Sequence, residues 1–398
     1  MLAAIRSGEW VTPERLRVYP LLLAALAVAA VAYVIATSHG DIGPNDLPLG
    51  SDFGQVWVAG KEVLAGQPEA PYDIRRHAAA QRLAFGPDAG IFGWHYPPYF
   101  LAPAALLARL PYLQALSLWQ SATLALYLAS ILAILRGAGL NKAAIVIGAI
   151  AFPAVLVNLG HGQNGFLTAA LLGGGFVLLD SRPLMAGVLF ALLCYKPQFA
   201  LILPLALTMG GRWRAIAGAG ATLFAMTAAS IIAFGLSSWG AFFDSLGFTR
   251  AILEQGAIGF EKIQSVFAAV RLMGGGVAAA YLFQGLATVL SLGALVVLLR
   301  SGADARVKAA GTIIAMFLST PYALDYDMMA LAPAMALLLA NGLERGFRPY
   351  EKSALAFAYA APLLARPVAG AISLPLGAAA IILLFASTIS CVFDKQKQ

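Results

Sequence analysis

Long apolar runs broken by short polar joints set the rhythm of this chain. The runs cover approximately 18–37, 112–135, 142–158, 164–180, 183–196, 197–211, 215–235, 276–299, 307–321, 326–342, 353–366 and 368–390. A bilayer crossing takes about 20 apolar residues in a helix, with about 17–25 usual, so the pattern predicts about twelve transmembrane helices. Several runs are short or share a corner marked by Pro183, Pro197 or Pro367. The first run follows Arg6, Arg15 and Arg17, as a signal peptide would. It exceeds the roughly 7–15 residues of a signal core, so a retained helix is expected. No fixed-period repeat and no strand is expected.

The segment "PPYFLAPAALLARL", 97–110, is apolar but short, and Arg109 and Pro111 close it. Such a length suits an interfacial or re-entrant helix better than a crossing. Orientation supports that reading. With the N-terminus inside and 97–110 not crossing, the inside joints are "RGAGLNK", "DSRP", "GRWR", "RSGADARVK", "NGLERGFRPYEK" and the tail "DKQKQ". Each carries Lys or Arg, as the positive-inside rule requires. A crossing at 97–110 would put these basic joints outside. Two long outside stretches result, 38–111 and 236–275, within a single integral-membrane domain, 1–398. The first has room for amphipathic helices at 52–65 and 73–85, between the turn signals "GPNDLP" and "FGPDAG".

Composition agrees. The chain is 60% hydrophobic and 11% charged, against about 25% charged in a soluble domain. The net charge of +7 sits in the joints between spans, so it reports topology and not a nucleic-acid partner. Cys194 and Cys391 lie in apolar runs and read as small hydrophobes, not a disulfide.

The same topology gathers five polar groups at the outer ends of helices. They are Asp52, "WHYPPYF" with His95 and Tyr96, "NLGHGQNG" with His161, Gln163 and Asn164, "CYKPQ" with Lys196, and "TPYALDYD" with Tyr322, Asp325 and Asp327. Polar and ionisable groups at such depth mark a site or a pathway, so an outward cavity beneath the first loop is expected. Each group also has a plainer reading. Asp52 suits a helix N-cap. His161 and Gln163 could satisfy backbone groups in a turn. Lys196 could snorkel to a headgroup. Asp325 and Asp327 suit a helix start. His39 and His77 read as solvated loop residues.

Other motifs fail. "GHGQNG" matches G-x-G-x-x-G in letters, but a membrane helix precedes it where a dinucleotide site needs a strand. No spacing calls for a metal or a cofactor, and no nucleophile elbow is visible.

An outward carboxylate with basic neighbours and apolar walls suits sugar transfer from a lipid phosphate. Asp52 could take the proton of an attacking hydroxyl. Lys196, with Arg250, Lys262 or Arg271, could neutralise the departing phosphate. One essential base predicts inversion at the sugar carbon, whereas a second carboxylate, Asp325, keeps the retaining route open.

These residues resemble glycosyltransferase family 87, polytopic enzymes of the GT-C class. The likeness runs over roughly 50–340. It rests on "SDFGQVWVAGKEVLAGQ" with "PYD", "YPPYFLAPAALLARLP", "GQNGFLTAALLGGGFVLLDSRPLMAGVLFALLCYKPQ" and "TPYALDYD". It implies an all-α GT-C bundle, juxtamembrane helices in the first outside loop, a polyprenyl-phosphate sugar donor and Asp52 as catalytic base. His161, Gln163 and Lys196 match the family pattern. The expectation is therefore a glycosyltransferase of a bacterial inner membrane, with both termini cytoplasmic and the site facing out. It would move a sugar, mannose by family likeness, to a lipid or glycan hydroxyl. A transporter or flippase would place ionisable groups at mid-membrane in matched halves. A scaffold would not need Asp52, Lys196 and Asp325 in one cavity.

Overall fold

The computed structural model describes residues 2–88 and 90–393. The "DKQKQ" tail expected inside lies outside the described residues. No strand occurs among the described residues. In chain order the helices are α1 (Leu2–Ser7), α2 (Pro13–Ala36), α3 (Ser51–Leu64), α4 (Ile74–Phe85), α5 (Leu101–Leu107), α6 (Tyr112–Ile134), α7 (Lys142–Ile150), α8 (Pro153–His161), α9 (Gly165–Leu178) and α10 (Pro183–Leu192). There follow α11 (Pro197–Ala200), α12 (Leu203–Met209), α13 (Trp213–Gln255), α14 (Val266–Leu272), α15 (Val277–Arg300), α16 (Ala305–Leu318), α17 (Leu331–Arg345), α18 (Glu351–Ile372) and α19 (Leu376–Ile389).

Among the described residues six helices are long and apolar enough to cross a bilayer: α2, α6, α13, α15, α18, and α17 with the 3-10 turn Asp325–Ala330 before it. The pair α7 and α8, bent by 54°, makes a seventh if it counts as one span. The count by length therefore falls below twelve. The other expected runs do form helices, but α9, α16 and α19 have 14 residues each. At about 1.5 Å per residue that is about 21 Å, short of a core of about 30 Å.

Chemistry at the joints explains the breaks. Pro153 opens α8, where a missing N–H costs nothing. Gly162 closes it at φ 64°, with Gln163 N–H reaching back to Asn158 O at 3.1 Å. Asp73 caps α4 by accepting from the N–H groups of Arg75 and Arg76 at 2.9 and 3.3 Å. Two expectations need correcting. Pro367 makes no corner, because α18 runs through it to Ile372. The stretch 236–275 does not open as a loop, because α13 bends at Gly235 (φ 80°) and continues to Gln255.

The core gathers around α17, which packs against α16, α6 and α9. At the other extreme, α2 buries no residue and packs mainly on α7 and α8. Segment 97–110 forms a 3-10 turn and then α5, held against α3. α3 thus packs against both α4 and α5. His77 departs from its expected solvated place: it is fully buried in α4, its Nδ1 2.7 Å from Glu62 Oε2 on α3. The Gly66 turn folds α4 back on α3 and so encloses both side chains. His39 is exposed and Cys194 and Cys391 are free, in line with expectation.

Candidate functional site

A cavity of about 750 Å³ is lined by the start of α3 and by the turns that follow α8 and α10. Asp52, His95, Tyr96, His161, Gln163, Lys196, Tyr322 and Asp325 all line it. Asn164 stands one layer behind, donating from Nδ2 to the Tyr96 hydroxyl at 2.8 Å. Five stretches spread over nearly 280 residues of sequence thus meet at one surface.

Two glycines set the closest approach. Gly50 (φ 62°) and Gly162 (φ 64°) both lie in the left-handed region, where a side chain is strained. A Cβ on Gly162 would stand 2.7 Å from Phe53 Cβ and 2.9 Å from Gly50 O. Only bare backbone lets the start of α3 touch the end of α8. That contact brings Asp52 beside His161.

Asp52 sits in the first turn of α3 and caps nothing, since Gly50 holds the cap position. Its Oδ2 accepts from Gln163 Nε2 at 2.9 Å, and its Oδ1 from the Ser51 hydroxyl at 3.2 Å. His161 Nδ1 lies 3.4 Å from the same Oδ1. The amide of Gln163 has one orientation. Its Oε1 accepts from the Tyr96 hydroxyl at 3.3 Å and from the Asn164 N–H at 3.2 Å, so Nε2 must face Asp52. Burial works to raise the Asp52 carboxyl. The bond and charge of His161, with the bonds from Gln163 and Ser51, outweigh it and hold the carboxyl below its ordinary value.

Lys196 is not free to meet a ligand. Its ammonium donates to Asp327 Oδ1 and lies 5.0 Å over the Tyr326 ring. Asp327 in turn accepts the Leu324 N–H at 2.9 Å through Oδ2. This pair occupies the ammonium that the snorkelling and the phosphate readings of Lys196 each call on. Of the other cations considered, Lys262 lines the cavity and makes no ion pair among the described residues. Arg250 pairs with Glu254 at 2.7 Å, and Arg271 donates to the carbonyls of Gly275 and Glu254; neither lines the cavity. Arg366 on α18, which the polar clusters of the sequence do not include, also lines the cavity. Its Nη1 stands 3.8 Å from Asp325 Oδ2 and its side chain opens into the cavity. A lone cation inside "LLARPVAG" was the available signal.

His95 Nδ1 lies 2.7 Å from the Thr249 hydroxyl, and its ring stacks on Phe248. Burial, then the charge of His77, pull its pKa down to about 4, so it is neutral at physiological pH. Among the described residues, no three His, Cys, Asp or Glu side chains gather as metal ligands would. Part of the lining is apolar: Val34 of α2, Leu156 and Val157 of α8, and Pro362 and Leu363 of α18. A hollow of about 10 Å³ beside it shares Leu156 and Leu363 and is otherwise lined by Leu23, Leu26 and Ala27 of α2 and by residues 150–153.

The sequence model of glycosyltransferase family 87 matches residues 94–321, more than half of the chain. The chain belongs to glycosyltransferase family 87. No curated protein and no solved structure matches it. Membership makes this helical protein a membrane glycosyltransferase, with a sugar donor and an acceptor as its substrates. The matched stretch of the glycosyltransferase holds His95, Tyr96, His161, Gln163, Asn164 and Lys196. Asp52, Tyr322, Asp325 and Arg366 lie outside it. For those four the cavity, and not the family match, supplies the association with the site.

Proposed function

We propose that this glycosyltransferase moves a sugar from a polyprenyl phosphate to a lipid or glycan hydroxyl, with Asp52 at its basic centre. The observation that carries this reading is the mixed lining of the cavity. A hydrogen-bonded acid shares it with apolar side chains of α8, of α18 and of α2, a helix that buries nothing. A lipid phosphate suits such a lining. Its chain would lie along α2, α8 and α18, its phosphate near Arg366 and Lys262, and its sugar before Asp52. Arg366 and Lys262 take over the task expected of Lys196, because only a cation without a tight partner can answer a growing phosphate charge. A departing lipid phosphate needs no strong acid, so a single displacement with inversion follows.

The acceptor hydroxyl reaches the cavity from the outer face of a bacterial inner membrane. The Lys and Arg residues of the polar joints support that orientation. Mannose is the first sugar to try. A scaffold would leave Asp52, Lys196 and Asp325 apart or facing lipid, whereas they share one cavity. The test offers purified protein a panel of polyprenyl-phosphate sugars, with membrane lipid extract as acceptor. Transfer of label into lipid or glycan is expected with at least one donor. No transfer from any donor, alongside transfer from nucleotide sugars, overturns the reading.

A further inference from the structure

We infer that the atom taking the acceptor's proton is Nε2 of His161, with Asp52 fixing its tautomer and bearing the opposite charge. This rests on the reading of the cavity as a sugar-transfer site, and it changes which atom of the basic centre does the chemistry. Of the two neighbours of His161 Nδ1, the nearer, an ionised Asp52, can only accept, and the Ser51 hydroxyl is drawn to that same carboxylate. The Ser51 hydroxyl, 3.5 Å away, spends its hydrogen on Asp52 Oδ1, and an ionised Asp52 has none to give. The hydrogen of a neutral ring therefore belongs on Nδ1, which leaves Nε2 with a bare lone pair. No hydrogen-bond partner engages Nε2 among the described residues, nor is it sealed in the interior. The ring lines the cavity, with Tyr326 on one side at 5.8 Å between centroids.

Asp52 is the poorer acceptor of a proton. Three of a carboxylate's roughly four lone-pair positions already face Gln163, Ser51 and His161. Its carboxyl also sits below the ordinary range, whereas a general base works best near the operating pH. An imidazole held by a carboxylate meets that demand, as in a serine-hydrolase triad. In the step, the acceptor O–H breaks and its proton joins Nε2. The oxygen's electron pair forms the new bond to the sugar carbon. The bond from that carbon to the phosphate oxygen breaks, and its pair leaves on the lipid phosphate. The imidazolium then returns the proton to water or to the departing phosphate. The other charges near the ring are Asp325 on the turn before α17 and Arg366 on α18.

The experiment uses full-length protein in detergent with polyprenyl-phosphate mannose as donor and membrane lipid extract as acceptor. His161→Gln is expected to lower kcat by about 10²–10⁴-fold with the donor KM unchanged, and His161→Ala to regain turnover on adding imidazole. The double variant Asp52→Asn/His161→Gln should be hardly slower than either single one, since the two act as a unit. Nitrogen-15 histidine spectra need no substrate: the chain has four histidines, and His161→Gln assigns the signal. A neutral ring protonated on Nδ1 is expected in the parent, shifting toward the other tautomer in Asp52→Asn. His161→Gln within threefold of the parent while Asp52→Asn is dead, or a parent tautomer carrying hydrogen on Nε2, overturns the inference and leaves sugar transfer standing. A parent that transfers no sugar from any donor overturns the functional reading and this inference together.

Discussion

Lys196 with Asp327 and His161 with Asp52 are two acid–base pairs on the wall of one cavity, built in opposite ways. The first pair is closed: its side chains are 6% and 1% exposed, and Asp327 also holds the Leu324 backbone. The second is open, at 23% and 13%, with a contact of 3.4 Å and one ring nitrogen without a partner among the described residues. Both contain groups that chemistry could use. Only the open pair has capacity left over for a ligand. The closed pair ties the "CYKPQ" turn to the turn before α17, across 131 positions of sequence. A charged residue near a cavity therefore acts on substrate only if its own partners leave it unsatisfied.

Four changes break or sharpen that contrast. The largest effect belongs to Asp52→Asn, which is expected to lower sugar transfer by about 10³–10⁴-fold, about 4–5.5 kcal/mol of barrier. Its folding should stay within about 1 kcal/mol of the parent; kcat and thermal unfolding in detergent measure the two. The reverse signature is expected of the closed pair. Lys196→Met strands a buried carboxylate and should cost about 3–5 kcal/mol of stability, read as a large fall in unfolding temperature. Lys196→Met/Asp327→Leu should recover most of that loss, because an apolar pair of similar volume is tolerated there. Any lost activity should follow lost fold, without the selective rise in donor KM that a phosphate ligand would show.

Arg366→Gln comes third. A cation with a long 3.8 Å contact has charge to offer a phosphate, so donor KM should rise about tenfold, about 1.4 kcal/mol, with acceptor KM unchanged. The smallest effect concerns His95, a closed group without a charge. Its folded pKa of about 4 lies below the ordinary value, about 6.5 for a free histidine. Between those values the unfolded chain binds a proton that the folded chain does not. Its contribution to stability is therefore complete above about pH 6.5 and is lost as pH falls toward 4. Unfolding temperatures of parent and His95→Gln, compared at pH 7 and pH 4.5, should differ in slope, the variant being flatter.

Much of the site could be read in advance, and the reason is local. Apolar runs show where helices lie, Lys and Arg mark the joints, and polar clusters at helix ends stand out because ionised groups are costly in hydrocarbon. That logic brought Asp52, His95, His161, Gln163, Lys196, Tyr322 and Asp325 to one side before any coordinates. It also kept 97–110 from crossing. It failed wherever a partner mattered. His77 reads as a loop residue until the Gly66 turn encloses it with Glu62. Lys196 reads as a phosphate ligand until Asp327 closes on it. Arg366 sits in an apolar run like any stray cation until α18 turns it toward Asp325.

The sequence alone determined that this is a helical membrane protein of one family, with its polar residues collected at helix ends. Hydrophobicity and charge act residue by residue, so a one-dimensional string records them. Tertiary structure decided which of those polar residues are spent on each other and which remain available. That depends on contacts of about 3 Å between segments far apart in the chain. Such contacts are set by packing, down to two bare glycines that let α3 touch α8.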